Sequence, residues 1–259
     1  MIMHILLQNL PDIALITWLI MSMVFIFAVI RKDNSIVDSF WGIGFVVIAL
    51  YALLQSGEID LRKAIVTLLV IIWGFRLSLH IIYRNRDKGE DFRYKAWRDS
   101  WKYFYLRSYL QIFLLQGFLM IIISTPVWFI GFNSGKPLGG WDFLGLVLFG
   151  AGFLIETTAD NQLAQFKKDT SNKGKLLTTG LWSISRHPNY FGEAVLWWGI
   201  GCYALSFTDG WLTLVGPLVI TLLLRYVSGV PMLEKHFENH PMWSDYKAKT
   251  PPFIPFIRW

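Results

Sequence analysis

The 259-residue chain has a single cysteine, Cys202, in an apolar run. One thiol excludes an internal disulfide, a CxxC redox pair and a thiolate zinc site. Glycine-rich phosphate loops are also missing. No GxGxxG follows a strand pattern and no GxxxxGK[ST] occurs, so a nucleotide here has to be held by side chains. The five histidines (His4, His80, His187, His236 and His240) form no HxH pair, and the i, i+4 pair His236/His240 falls in the tail, so no metal site is expected. The N-terminus lacks a basic n-region and a small-residue cleavage site, so the first apolar segment is expected to remain as a helix. Charge is scarce as well: 16% of residues are charged, against roughly 25% in soluble domains.

What is abundant is apolar surface: 54% of residues are hydrophobic and 17% aromatic. A spanning helix needs about 20 mostly apolar residues. Seven stretches qualify, near 12–30, 36–55, 64–83, 107–130, 142–166, 190–207 and 211–232. The chain therefore reads as an all-α, polytopic membrane protein of about seven transmembrane helices, forming one integral membrane domain over 1–259. Lys and Arg concentrate in alternate connections: Arg31 and Lys32, a dense run from Arg84 to Arg107, Lys167 to Arg186, and the tail from Lys235 to Arg258. The opposite connections hold Arg62, Lys63 and Lys136. The positive-inside rule then puts the N-terminus outside and the C-terminus in the cytoplasm. It also accounts for the net charge of +6 without a nucleic-acid partner. Membrane lipids and a lipophilic small molecule are the expected partners. The bases and aromatics of 84–106 predict a short helix lying on the interface.

Ionisable groups at membrane depth are expensive and mark candidate sites. Asp38 sits early in the second span, within Val37-Asp38-Ser39-Phe40-Trp41-Gly42. Arg76, His80 and Arg84 are four residues apart, so each step turns only about 40° and the three form one stripe. Glu156 and Asp160 are also i, i+4, Glu193 opens the sixth span, and Arg225 lies near the end of the seventh. Plainer roles compete. Arg84 and Arg225 can snorkel to headgroups, His80 can be a packing residue, and Asp38 can simply pair with Arg76. Taken together, the groups predict a shared polar cavity open to the cytoplasm.

The most informative stretch is Arg186-His187-Pro188-Asn189-Tyr190-Phe191-Gly192-Glu193. Pro188 starts a helix, so Arg186, His187, Asn189 and Tyr190 crowd an N-terminus whose amides and dipole favour anions. This motif is similar to one shared by steroid 5-alpha-reductases, sterol C14-reductases and isoprenylcysteine carboxyl methyltransferases. Ala159-Asp160-Asn161-Gln162, Phe166-Lys167-Lys168, Arg84-Asn85, Asp38 to Gly42, and the tail (Glu234, Tyr246-Lys247, Thr250-Pro251, Ile254-Pro255-Phe256) add to the likeness. The whole pattern resembles a bacterial branch of uncharacterised function in that superfamily. It implies a variable N-terminal helix to about residue 33, a reductase-like region from about 34 to 259, and a bacterial inner membrane as location.

For site residues the resemblance implies NADPH held by Arg76, His80, Arg84, Asn85, Asp160, Lys167, Arg186, His187, Asn189, Tyr190, Glu193 and Arg225. Asp38 takes the place of an acidic residue that grips the substrate oxygen, with Trp41 and Trp73 beside the substrate. One departure matters: three residues before Arg76, where the family has a tyrosine, this chain has Trp73. An indole is no acid in the catalytic range. Tyr83, Tyr94 or a protonated Asp38 could supply the proton, with Asp38 and Tyr94 as the candidate catalytic pair.

The expected function is NADPH-dependent reduction of a carbon–carbon double bond in a steroid- or isoprenoid-like lipid. Two other readings stay open: an S-adenosylmethionine-dependent membrane methyltransferase, and a non-enzymatic lipid-binding membrane protein.

Overall fold

The computed structural model describes residues 2–86 and 88–257, without the side chains of residues 2–6. The His4 side chain and Arg258 thus lie outside the described residues. Every regular element among those described is helical. Besides short 3-10 turns at Thr170–Asn172 and Gly180–Ser183, these are in chain order α1 (Ile2–Arg31), α2 (Ile36–Leu54), α3 (Leu61–Asn85), the short α4 (Phe92–Ser100), α5 (Phe104–Ile123), α6 (Thr125–Gly131), α7 (Gly140–Lys168), α8 (Pro188–Ala204), α9 (Gly210–Phe237) and α10 (Trp243–Lys249). Helix α5 contains a π turn at Tyr109–Leu114, and α9 contains one at Leu223–Val227.

Among the described residues, six helices are long and apolar enough to cross a membrane: α1 from Leu7, α2, α3, α5, α7 and α9. Their outward surface is apolar. On α1, Leu15, Trp18, Met23, Ile26 and Ile30 are all exposed, which suits lipid rather than water as solvent. The chain is an integral, multi-pass membrane protein. The seventh expected span corresponds to α8, which has 17 residues, or about 25 Å. Leu196, Trp197 and Ile200 are fully buried, so α8 is largely enclosed by protein. The expected span over 107–130 is two helices, because Pro126 lacks an N–H and the chain restarts at Thr125.

The chain divides into two compact units, Met1–Gly139 with Tyr203–Gly216, and Gly140–Cys202 with Pro217–Trp259. In the first, α2 and α3 form a tight antiparallel pair. Asp60 caps α3 by accepting from the Lys63 amide at 3.0 Å. A Cβ at Gly74 would fall 2.6 Å from the Gly42 carbonyl oxygen, so two glycines set the helix separation. Trp73 is fully buried beside them, edge-on to Phe45 at 5.5 Å. At the start of α3, Arg62 is buried and donates to the carbonyls of Lys136 (3.0 Å) and Pro137 (2.8 Å). Lys63 is likewise buried and reaches the Glu58 carbonyl (2.7 Å) and the Ser134 hydroxyl (2.6 Å).

In the second unit α7 and α8 cross where a Cβ at Gly192 would lie 2.6 Å from the Gly152 oxygen. That contact presents Glu156 and Asp160 of α7, and Glu193 of α8, to a protein interior: all three are buried.

The glycine contact between α2 and α3 leaves no room for a methyl group. Gly42→Ala is expected to destabilise the protein by about 1–3 kcal/mol, since backbone has to move. Melting in detergent reads this out, with Gly150→Ala, which meets nothing within 4 Å, as the silent control.

Candidate functional site

In the first unit Asp38 occupies the first turn of α2. Helix α4 returns over it. Asp91 caps α4 by accepting from the Arg93 amide at 3.0 Å and holds the Arg93 Nε at 2.8 Å. This aims the guanidinium at Asp38, where a second nitrogen reaches Oδ2 at 2.9 Å. The Tyr94 hydroxyl donates to Asp38 Oδ1 at 2.6 Å, and the Tyr94 side chain is buried. Glu90 anchors the same segment. It accepts from the Asn34 amide (2.8 Å) and from two nitrogens of Arg98 (2.7 and 2.8 Å), while Asn34 donates to the Ser108 hydroxyl at 2.6 Å. The α1–α2 turn, the loop before α4 and the start of α5 are thereby tied together around Asp38.

These contacts set protonation. Burial, then the negative charge of Asp38, pushes the Tyr94 hydroxyl well above its ordinary range, so it stays protonated. Burial opposes the charge on Arg93, but Asp91 and Asp38 hold its guanidinium even more firmly protonated than usual. Burial also opposes the charges on Glu90 and Asp91, but hydrogen bonds to Glu90 from Arg98 and the Asn34 amide, and to Asp91 from Arg93, keep both below the usual carboxylate range.

The other candidates of this unit have different surroundings. Trp41 is half-buried with its ring 5.3 Å from Phe45, and Trp73 sits in the α2–α3 packing. Along the α3 stripe, Arg76 and His80 are half-buried and Arg84 is exposed, with its Nε 3.4 Å from Asn85 Oδ1. Of the three proton sources left open by the sequence, Tyr94 is the one brought to Asp38. Tyr83 is 69% exposed on α3. The Arg93 contact was not foreseen; its signal is the capping position of Asp91 two residues ahead of Arg93.

In the second unit the motif loop is fastened by the tail. Arg186 is buried, and its guanidinium meets both oxygens of Glu234 (2.7 and 3.1 Å) and the carbonyls of Lys247 (3.1 Å) and Thr250. Its amide donates to the Pro251 carbonyl at 2.8 Å. Ser185 reaches the Phe253 carbonyl (2.7 Å) and the Tyr246 hydroxyl reaches the Trp182 carbonyl (2.5 Å). Arg186 was expected among the residues that hold NADPH; here its guanidinium is met by Glu234 and by the Lys247 and Thr250 carbonyls. His187 lies 3.2 Å from Glu234 through Nε2 and stacks on Tyr190 at 5.6 Å. Burial lowers its pKa despite Glu234, favouring the neutral imidazole.

Asn189 donates to Asp160 Oδ1 at 3.1 Å, while its own Oδ1 is buried and accepts no hydrogen bond among the described residues. Glu193 and Glu156 are buried on the same pair of helices. Arg225 is half-buried in the π turn of α9, 4.7 Å from the Tyr226 ring, and Lys167 is exposed near the end of α7. The second unit therefore offers buried acceptors at Asp160 and Asn189, with bases at Arg225 and Lys167.

A family model described as "Protein of unknown function (DUF1295)" matches residues 24–250. An uncharacterised protein of Schizosaccharomyces pombe is 26% identical over 86% of this chain and 73% of its own length. Two shorter matches name activities. A steroid 5-alpha-reductase of Gossypium hirsutum is 38% identical over 26% of each chain. A probable O-methyltransferase of Ustilaginoidea virens is 44% identical over 18% of this chain and 16% of its own. No solved structure matches. With a fission-yeast protein matching most of the chain, the expected bacterial inner membrane gains no support.

The carboxylates that anchor α4 make its attachment acid-sensitive. Both folded pKa values lie below their unfolded ones, so the stabilisation is present above the ordinary carboxylate range of about 4 and is lost as pH falls through the depressed values. Melting temperature is expected to fall on acidification, and Glu90→Gln to lower it near neutrality and reduce its pH slope.

Proposed function

Since the chain belongs to the DUF1295 family, matched over residues 24–250, we propose that it is a membrane reductase that saturates a carbon–carbon double bond of a lipophilic, carbonyl-bearing substrate with NADPH. The observation that carries this reading is the part-buried Tyr94–Asp38 hydrogen bond, backed by Arg93. It supplies the phenol that α3 lacks at Trp73. The short match to a steroid 5-alpha-reductase supports the same chemistry.

In this reading Tyr94 is the proton source. Its O–H, donated to Asp38 at 2.6 Å, would turn to the substrate to deliver the proton, and the raised pKa keeps the phenol protonated until then. Asp38 orients the hydroxyl. Arg93, with its guanidinium carbon 5.3 Å from the Tyr94 ring centroid, offsets the charge left on the phenolate. NADPH, when bound, supplies the hydride, so that hydride and proton together saturate the bond. In the second unit, Asn189 and Asp160 fit ribose or carboxamide donors, and Arg225 and Lys167 fit phosphate. Arg186 and His187 act one step back, holding the loop that carries Asn189. In the first unit Arg76, His80, Arg84 and Asn85 remain candidate phosphate and ribose contacts. Seven spans with a cytoplasmic C-terminus belong to this reading, with α8 as the short one.

A second reading has its own observation. The buried charges of the second unit outside the Arg186–His187–Glu234 cluster include Glu156, Asp160 and Glu193, and Arg186 is taken up by Glu234 and the tail. A buried acidic lining suits a sulfonium better than a pyrophosphate, which favours S-adenosylmethionine and methyl transfer; the short O-methyltransferase match agrees.

Thermal shift of the detergent-purified protein with NADPH, NADH and S-adenosylmethionine separates the two. A ligand at 100 times its Kd adds about 2.7 kcal/mol. NADPH is expected to raise the melting temperature and Asn189→Ala to diminish the rise. A response to S-adenosylmethionine alone transfers the site to methyl transfer, and no response to any of the three leaves lipid binding without catalysis.

Tyr94→Phe tests the proton source. With an enone lipid that the wild type reduces, turnover is expected to drop about 100-fold or more while the NADPH-induced shift is kept. Unchanged turnover would remove Tyr94 from the mechanism.

A further inference from the structure

Helix α4 separates its side chains into two faces. The inner one is engaged by protein: Arg93 by Asp38 and Asp91, Tyr94 by Asp38, and Arg98 by Glu90. The outer one follows the i, i+3, i+4, i+7 pattern of a single helical stripe, with Phe92, Lys95, Ala96 and Asp99 all exposed. The exposed surface continues at both ends. Lys88 and Gly89 precede the helix, and Lys102 and Tyr103 follow it, with the lysine ammonium 5.2 Å from the tyrosine ring. Phe92 is 57% exposed and Tyr103 70%.

The charge left on that outer surface is net positive. The carboxylates of Glu90 and Asp91 are matched by Arg98 and Arg93, which face inward. Among the described residues, Lys88, Lys95 and Lys102 then stand outside with Asp99 as the one acid on the stripe. The segment also has a fixed address. It joins the end of α3, Asn85, to the start of α5, Phe104, and these are consecutive spanning helices. Residues 88–103 therefore lie at one membrane face, where exposed aromatics sit at headgroup level and lysines meet anionic lipid.

We propose that the outer face of residues 88–103 is a docking surface for anionic lipid headgroups, with Lys88, Lys95 and Lys102 meeting the phosphates and Phe92 and Tyr103 entering the upper acyl region. The layout favours lipid over a dissolved anion. The lysines are spread along the segment and interleaved with apolar rings, whereas capture of one phosphate calls for converging donors. The inner face of the same helix holds Tyr94 on Asp38, so headgroup contact also steadies that pair. The lipid surface stands on the charge pattern alone, whatever the chemistry at Asp38.

Amide hydrogen exchange of the full chain in nanodiscs tests this, comparing phosphatidylcholine alone with discs containing phosphatidylglycerol. Exchange in 88–103 is expected to slow in the anionic discs, and the difference to shrink as salt screens it. Lys88→Gln/Lys95→Gln/Lys102→Gln is expected to erase the difference, with single variants giving partial loss at about fivefold in lipid affinity per base. Melting in phosphatidylcholine discs confirms that the triple variant is folded. Equal exchange in the two discs overturns the proposal, as does a difference that survives in the folded triple variant. Slowing by inorganic phosphate in phosphatidylcholine discs overturns the lipid source and assigns the surface to a soluble anion.

Discussion

A charge placed where water is scarce has to be answered from within the protein. That constraint organises both units. Asp38 is answered by Arg93 and the Tyr94 hydroxyl, Arg186 by Glu234 and tail carbonyls, and Arg62 by the carbonyls of Lys136 and Pro137. Each answer comes from a segment distant in sequence. Each therefore fixes a loop that apolar packing alone would leave loosely placed. The glycine contacts between helices act alongside this, bringing backbones close enough for the polar groups to reach one another.

Much of the fold was legible because lipid imposes a simple length rule. Runs of about 20 apolar residues revealed six helices directly. The boundaries that failed were governed by local chemistry. Pro126 splits one run, and α8, at 17 residues, is enclosed by protein, so lipid does not set its length. Site residues were legible as types and only partly as partners. Asp38 stood out as an acid at depth and Tyr94 as one of two candidate phenols. That the two meet depends on α4 folding back, which no periodicity encodes. Arg186 stood out too, but whether its guanidinium faces a ligand or the protein turns on Glu234, 48 positions away. Trp73 marks the opposite case: the sequence flagged it as a missing acid, and the structure places it in the α2–α3 packing beside Phe45.

The two units differ in electrostatic character. Near Asp38, acids and bases alternate closely enough that most charges cancel in pairs. In the second unit, buried acids on α7 and α8 stand beside an amide with an open acceptor at Asn189. In the proposed reading, cofactor choice turns on the second unit and the fate of a substrate proton on the first.

The fastening of the motif loop by the tail bears on how the chain is made. Arg186 leaves the ribosome long before Glu234, Thr250 or Phe253. Through that interval its guanidinium and the Ser185 hydroxyl lack the partners they have in the finished fold. The loop that carries Asn189 thus takes its final form only when the tail is present. Until the tail is in place, that loop presents Arg186 without the carbonyls of Lys247 and Thr250 that hold it in the finished fold.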